Sequence, residues 1–269
     1  MKKIKIVILL IIISALSACS SATDKTENET DNVNAESIES KEIANTETAE
    51  IVDTQNLETE IETKEIVKVD NIKSEFDFNN NGIDDYSDFV IGAKKDAQKH
   101  PRYNPAYVSK NNGYPDDNNG VCTDVIWRAF REAGYSLRTM LNNDIDRRRG
   151  AYTNIQNEPD PYIDFRRVKT LKPFFEQYSE NLEREMTDPK NWQPGDIITF
   201  DPRDFHIGIL SDNRNEDGYP LVIHNMGQNE REEDYLPRKT NEITGHYRFN
   251  AKNIPNEILS EWQEGENLD

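Results

Sequence analysis

Cysteine is almost absent from this chain of 269 residues, which has Cys19 and Cys122 and no other. Because Cys19 ends an apolar N-terminal segment, a single thiol remains in the rest of the chain, and a disulfide framework is excluded. An exposed unpaired thiol oxidises readily. Its presence indicates either that its chemistry is used or that it packs as a small buried hydrophobe.

Positive charge is also scarce, since 32 Lys and Arg residues stand against 51 Asp and Glu residues and leave a net charge of −19. Nucleic-acid-binding proteins usually carry a basic patch, so we expect no nucleic-acid partner. Residues 20–75 lack glycine and proline and hold 16 acidic but 5 basic residues. Such a segment cannot bury a core, which predicts a disordered acidic tether spanning about 40 Å.

The first 19 residues predict where the protein resides. Three lysines precede the apolar run 6–13, and the residues Leu-Ser-Ala-Cys then end at Cys19. This order describes a signal peptide rather than a spanning helix. It resembles a bacterial lipoprotein signal, with an ordinary secretory signal as the alternative. The resemblance implies lipid attachment to Cys19, and the lipid would hold the mature protein on the extracytoplasmic face of the cell membrane.

Cys122 stands at the start of a helix predicted over residues 121–133. Its helical neighbours share one apolar face, and Gly134 follows as a stop signal. A helix N-terminus carries partial positive charge, so we expect the pKa of this thiol to lie below its usual value of about 8.5. The turn-rich run 114–120 precedes the helix, which places the thiol beside a loop open to ligand.

A base for this nucleophile is expected on a three-stranded antiparallel meander predicted over residues 196–226. His206 and His224 fall on the same side of adjacent strands, within hydrogen-bonding reach of one another. One could accept the proton of Cys122 while the other orients it. Gly208 would leave room for the cysteine helix. A purely structural role is the alternative for each histidine, and His246, on a later strand, either supports the core or forms the wall of a substrate pocket.

Five ordered motifs resemble the bacterial domain-of-unknown-function family 1287, a group within the NlpC/P60 superfamily of papain-like cysteine peptidases and amidases. The resemblance spans roughly residues 86–250. The motifs lie at residues 120–125, 163–168, 206–209, 223–227 and 243–248.

The resemblance implies an α+β papain-like fold in which the cysteine-bearing helix packs on an antiparallel β-meander. It also implies a triad of Cys122 as nucleophile, His206 as general base and His224 as orienting residue, with Asn225 as the alternative third member. The reaction implied is hydrolysis of an amide bond in a cell-wall peptide. Phe165 departs from the pattern, since many relatives are expected to have histidine there, and it receives no catalytic role.

Two arginines and a histidine are candidates for binding the substrate. Arg166 and Arg167 could hold a peptide carboxylate in bidentate fashion, and cell-wall peptides carry several carboxylates. His246 would contribute to the pocket wall. The alternative for the arginines is a solvated charged face.

Residues 76–88 form a candidate calcium loop of EF-hand or dockerin type, followed by a helix over 86–98. Oxygen ligands fall at loop positions one, three, five, nine and twelve, with Gly82 at the sixth for the sharp turn. The alternative is a plain turn joining the tether to the domain, and any bound calcium would be structural. The candidate ligands are Asp77, Asn79, Asn81, Asp85 and Asp88.

The predicted order is therefore signal peptide 1–19, tether 20–75, loop 76–88, hydrolase domain 86–250 and acidic C-terminal tail 251–269. The leading hypothesis is a monomeric, lipid-anchored cysteine hydrolase that needs no cofactor and cleaves peptidoglycan peptides. A catalytically silent module that binds wall peptide and an acyl transferase on the same scaffold are the alternatives. The scissile bond cannot be read from the sequence.

Overall fold

The structure, a computed structural model, describes residues 67–201, 203 and 205–263. The chain divides into two units, residues 1–60 and residues 61–269, and the helices and strands of the described residues all belong to the second unit. The signal peptide with Cys19 and most of the tether 20–75 lie outside the described residues. Among the residues that are described, no helix is both long enough and apolar enough to span a bilayer.

Four α-helices occur in the described part of the chain. The predicted helices over 86–98 and 121–133 correspond to the first two of them. Each is amphipathic and turns its apolar stripe inward. The helices are α1 (Asp85–Lys99), α2 (Cys122–Glu132), α3 (Leu137–Arg147) and α4 (Val168–Tyr178).

The strands of the described residues form a parallel two-residue pair, β1 with β2, and an antiparallel sheet of six strands in the order β3-β8-β4-β5-β6-β7. The predicted meander is the centre of this sheet, β4-β5-β6, and the late strand β8 adds beyond β4. The chain is thus an α+β protein. The strands are β1 (Arg102–Tyr103), β2 (Asn119–Gly120), β3 (Ser179–Asn181), β4 (Ile197–Phe200), β5 (His206–Arg214), β6 (Pro220–Ile223), β7 (Glu232–Glu233) and β8 (Ile243–Phe249).

The core lies on both faces of the sheet. Helix α2 packs against the face that carries Ile207, Ile209 and Ile223, and its side chains Ile126 and Phe130 are fully buried there. The opposite face carries a smaller cluster. Because strand side chains alternate, β4, β5 and β6 each supply both clusters from successive residues. The smaller cluster consists of Trp192, Ile198, Phe200, Leu210, Val222, Tyr235, Leu236 and Ile243.

The domain continues past residue 250, where the sequence predicted an acidic tail. Ile258 is fully buried, and the Trp262 N–H donates to the Gly134 carbonyl oxygen at 2.7 Å. Ser136 N–H donates likewise to the Ser260 carbonyl oxygen at 2.9 Å. The prediction of a tail was wrong for residues 251–263, because a few widely spaced apolar side chains anchor this acidic segment.

The candidate calcium loop is closed by its own hydrogen bonds. The Asp77 carboxylate accepts the N–H groups of Asn81 and Gly82 at 3.0 and 2.8 Å. The side-chain amides of Asn79 and Asn81 donate to Asp88 at 3.0 and 2.9 Å. No group of three or more His, Cys, Asp or Glu side chains in the described residues is arranged to hold a metal ion. Calcium binding and the alternative, a structural turn, both stay predictions.

Asp85, another of the candidate calcium ligands, anchors the loop to the core. Its carboxylate accepts the Phe78 N–H at 2.9 Å and the Tyr135 hydroxyl at 2.6 Å. The Phe78 ring stacks on Tyr135 with centroids 4.1 Å apart. The domain therefore begins before residue 86.

Gly208 does not make room for the cysteine helix, and that expectation was wrong. It lies on the face of β5 that points away from α2. A Cβ at this position would lie 2.5 Å from Val222 Cγ1 and 3.4 Å from His224 Cβ. The glycine therefore lets the side chains of β6, including His224, close over β5.

We expect Gly208→Ala to lower the free energy of unfolding by about 1–3 kcal/mol, because the added methyl overpacks the strand pair. Urea denaturation monitored by tryptophan fluorescence measures the change. Gly150→Ala is the control, since a Cβ there meets nothing within 4 Å. Its effect should stay within about 0.5 kcal/mol. Equal stabilities of the two variants would contradict the close packing of Gly208 against Val222.

Candidate active site

Cys122 is the first residue of α2, and the helix start is capped from within. The Asp124 carboxylate accepts the N–H of Val121 at 2.7 Å and the indole N–H of Trp127 at 2.8 Å. Asp124 has no solvent exposure. Its charge complements the helix N-terminus, as expected for an acidic residue in the first turn, and it fixes the backbone that carries the thiol.

Arg166 neutralises Asp124 in a buried ion pair. Its Nε lies 2.9 Å from Asp124 Oδ1 and its Nη2 lies 3.0 Å from Oδ2. The same guanidinium donates to the carbonyl oxygens of Ala106 and Asn104 at 3.0 and 3.3 Å. The side chain predicted to bind substrate is therefore committed to the protein, and it ties the loop at 104–106 to the start of α2.

A cavity of about 380 Å³ opens beside Cys122. Two exposed cations, Arg167 and Lys169, stand in its wall, and none of the described residues that line it is acidic. In a chain with a net charge of −19, this local positive charge favours an anionic ligand. The lining residues are Tyr103, Pro105, Val121, Cys122, Asn154, Ile163, Arg166, Arg167, Val168, Lys169 and Phe205.

The thiol of Cys122 is less acidic than the sequence led us to expect. Burial raises its pKa to about 11, and the charge of Asp124 acts in the same direction. The backbone N–H of Ile207, which hydrogen-bonds to the sulfur, and the N–H groups of Thr123 and Cys122 oppose this rise. The expected lowering by the helix N-terminus was wrong because desolvation of the thiolate outweighs it. At neutral pH the sulfur keeps its proton.

His206 and His224 meet as predicted. His206 Nε2 lies 3.0 Å from His224 Nδ1, and Tyr235 packs on the second imidazole with ring centroids 4.4 Å apart. Burial, followed by the nearby His224 and Lys239, lowers the pKa of His206 to about 3. Burial, followed by nearby arginines, lowers the pKa of His224 to about 3. Both rings are therefore neutral at physiological pH.

The thiol and the imidazole pair lie on opposite faces of the sheet near the start of β5. Cys122 belongs to the cluster on the α2 side, whereas both imidazoles lie on the opposite face. The start of β5 links them. His206 is the first residue of this strand, and the N–H of the next residue, Ile207, hydrogen-bonds to the sulfur of Cys122. Within the described residues no hydrogen bond joins the thiol to the His206 ring. Such contacts are often long without substrate and shorten in its complex.

Glu233 is a member of this cluster that the sequence did not reveal. Its Oε1 lies 3.0 Å from His224 Nε2, and its other oxygen pairs with Arg238. Strand β7, which carries Glu233, has two residues, both glutamate. A strand so short and polar leaves no alternating apolar pattern, so no sequence signal marked it.

Asn225, the alternative third member, lies away from the imidazoles. Its side-chain amide donates to the carbonyl oxygens of Pro101 and Gly120, both at 3.3 Å, and its Oδ1 accepts the Gly227 N–H at 3.0 Å. It holds the loops before α2 in place. The register of β5 and β6 brings His224, and not Asn225, to His206.

His246 is placed in a separate buried network and does not line the cavity. Its Nδ1 donates to the Glu183 carbonyl oxygen at 2.7 Å, and its Nε2 lies 2.9 Å from Asp196 Oδ2. The ring stacks on Trp192 with centroids 4.2 Å apart. Of its two predicted roles, these contacts match core support. Arg167 does line the cavity, with its Nη1 3.3 Å from Asp164 Oδ1 and its side chain 52% exposed.

These features define an α+β protein with a lone cysteine at a helix start, a cavity beside it and a buried histidine pair. The model of the domain of unknown function DUF1287 matches residues 90–249. The uncharacterized protein YijF of Escherichia coli (strain K12) is similar, with 34% identity over 167 residues that cover 60% of this chain and 80% of the relative. The chain belongs to the DUF1287 family. No solved structure gives a significant match.

We expect iodoacetamide to alkylate Cys122 slowly in the folded protein. Only the thiolate reacts, so a pKa raised to about 11 reduces the reactive fraction at neutral pH. The rate at pH 7.5 should be at least about tenfold below that of free cysteine and should keep rising with pH above 8.5. Mass spectrometry of the peptide that contains Cys122 measures it. The same peptide labelled in urea is the control, and equal rates in folded and unfolded protein would contradict the buried thiol.

Proposed function

We propose that this protein is a lipid-anchored, extracytoplasmic cysteine hydrolase with a papain-like NlpC/P60 fold, which cleaves amide bonds in peptidoglycan peptides. One observation carries the proposal. Cys122 lines the cavity at the start of α2, and the strand that begins at His206 donates a backbone N–H to its sulfur. A nucleophile, a base and an orienting group would thus come from the start of α2, the start of β5 and the residue that follows β6, as covalent catalysis requires.

The resting site in this proposal is uncharged. With the pKa of the thiol raised to about 11 and that of His206 lowered to about 3, the proton stays on the sulfur until substrate arrives. As the substrate carbonyl approaches, His206 accepts the thiol proton and the sulfur attacks the carbonyl carbon. The imidazolium then protonates the leaving amine, and water hydrolyses the thioester, which returns the thiol.

The start of α2 supplies donors for the oxyanion. The first N–H groups of a helix have no partner within it, and those of Cys122 and Thr123 lie close enough to the sulfur to influence its pKa. A carbonyl under attack by this sulfur would place its oxygen near them. Donors fixed in advance where negative charge develops are the usual source of such stabilisation.

The wall of the cavity suits a peptide that carries carboxylates. Arg166 is neutralised by Asp124 and Arg167 pairs with Asp164 at the surface, so the charge most available to a ligand is that of Lys169, with the exposed Arg167 beside it. Both side chains are exposed. Lys169 makes no ion pair with the described residues, and its Nζ lies 4.9 Å from the centroid of the Phe205 ring. Cations beside an aromatic face can hold a stem peptide with several carboxylates.

The predicted lipoprotein signal and acidic tether agree with this function. A lipid on Cys19 would hold the domain on the membrane. The tether 20–75, which would span about 40 Å, would let it act on a polymer at some distance.

A binding module for wall peptide is the second candidate. The raised pKa of Cys122 and the absence of a hydrogen bond between the described Cys122 and His206 side chains favour it, since neither feature activates the nucleophile. The cavity would then hold the peptide without cleaving it. Digestion of muropeptides distinguishes the two functions.

We expect the purified protein to release new products from muropeptides, detected by mass spectrometry, and Cys122→Ala to abolish their formation. His206→Gln should reduce kcat/KM by roughly 10²- to 10⁴-fold because it removes the general base. His100→Gln is the matched control, since this exposed histidine contacts the Asn229 carbonyl oxygen away from the cavity. Binding without products would support the binding module, and equal digestion by Cys122→Ala would exclude the nucleophile.

Charge reversal in the cavity wall should weaken substrate binding. We expect Lys169→Glu and Arg167→Glu each to raise KM at least about fivefold with kcat nearly unchanged, since uniform binding is lost. Lys190→Glu is the control, because this exposed lysine carries the same charge and does not line the cavity. A similar KM in all three variants would contradict a carboxylate site at this wall.

A further inference from the structure

We infer that Glu233 is a positioning residue that acts through His224 to fix the tautomer of His206, so that Nδ1 of His206 is the nitrogen without a proton. The catalytic consequence rests on the proposed function, whereas the tautomer can be measured without any substrate. The inference concerns three side chains from strands β5 and β7 and the residue that follows β6.

The polar contacts of the two rings form a one-way relay. A carboxylate can only accept, so the 3.0 Å contact from His224 Nε2 to Glu233 Oε1 places a proton on Nε2. A neutral imidazole carries one proton, which leaves Nδ1 of His224 as an acceptor. Nε2 of His206, 3.0 Å away, must then be the donor. The remaining nitrogen of His206, Nδ1, holds the lone pair.

Gln228 fixes the position of the His224 ring. Its Oε1 accepts the Met226 N–H at 2.6 Å and the Arg231 guanidinium at 3.2 Å, which fixes the orientation of the amide. The amide nitrogen therefore faces His224, at 3.2 Å from Nδ1 and 3.4 Å from Nε2. An amide nitrogen can only donate. Because it lies within reach of both ring nitrogens, it holds the ring in place without distinguishing the two tautomers.

The charges around the relay keep both rings neutral and the carboxylate in place. Arg238 pairs with Glu233, and β7 holds that residue beside Val222 of β6. Lys239 lies near His206, and Arg231 and Arg238 lie near His224. These cations disfavour a second proton on the pair. The Glu233 carboxylate therefore determines which ring nitrogens carry the protons, and neither ring takes up a second proton.

Without Glu233 the relay can run in reverse. His224 could then carry its proton on Nδ1 and donate to His206 Nε2. The proton of His206 would move to Nδ1, and no lone pair would remain there to accept the thiol proton. The side chain of Glu233 thus decides whether His206 can act as a base on that side.

The test measures both tautomers by ¹⁵N NMR of histidine-labelled protein near pH 7.5. We expect the wild-type protein to show His206 protonated on Nε2 alone. Glu233→Leu, which keeps the size and removes the carboxylate, should lower the ratio of the two tautomers by about tenfold or more, because the negative charge 3.0 Å from His224 Nε2 is lost. Glu232→Leu is the matched control, since Glu232 lies next in the chain and bonds Ser211 and Asn213 instead.

Two results would overturn the inference: a proton on Nδ1 of wild-type His206, or an unchanged tautomer ratio in Glu233→Leu. If that variant does not fold, Glu233→Gln keeps the shape with a weaker acceptor and should still shift the ratio measurably. Should muropeptides prove to be substrates, Glu233→Leu should lower kcat/KM by roughly 10- to 100-fold with KM retained. A failure of digestion alone would count against the proposed function and leave the tautomer result standing.

Discussion

The buried pair of Asp124 and Arg166 is the constraint on which the rest of this site depends. The carboxylate caps the N-terminus of α2 at Val121, and the guanidinium holds the loop at 104–106 against it. A buried charge must be paired, and removing one partner typically destabilises a protein by about 3–5 kcal/mol. The cavity beside Cys122 thus has one wall fixed by the Asp124–Arg166 pair, which also fixes the start of the helix that carries Cys122.

Burial decides the protonation of Cys122 and His206, and it shifts their two pKa values in opposite directions. It raises the pKa of the Cys122 thiol and lowers the pKa of His206, because both charged forms lose hydration. The helix N-terminus favours a thiolate, but Asp124 places a negative charge within the same turn. The result is a neutral pair that would become charged when a substrate supplies new partners. A thiol that keeps its proton is also less open to oxidation.

Sequence periodicity predicted those parts of the fold that rest on regular alternation. The meander β4-β5-β6, the helix that starts at Cys122 and the contact of His206 with His224 follow from it. The packed segment 251–263 and the role of Gly208 were missed, because each depends on which face meets which neighbour. Glu233 was missed since its two-residue strand has no pattern of its own. Contacts that arise only after the sheet is assembled leave no trace in local spacing.

The number of ring nitrogens that make hydrogen bonds distinguishes His206 from His246. Both ring nitrogens of His246 are engaged by fixed oxygens of Glu183 and Asp196, so neither nitrogen is available to a ligand. His206 has one nitrogen bonded to His224, and its Nδ1 makes no hydrogen bond with the described residues. Both histidines lie in strands, and both are almost fully buried. Burial and spacing alone therefore could not distinguish them, whereas the number of committed nitrogens does. A base needs one nitrogen held by the protein and the other left for the substrate.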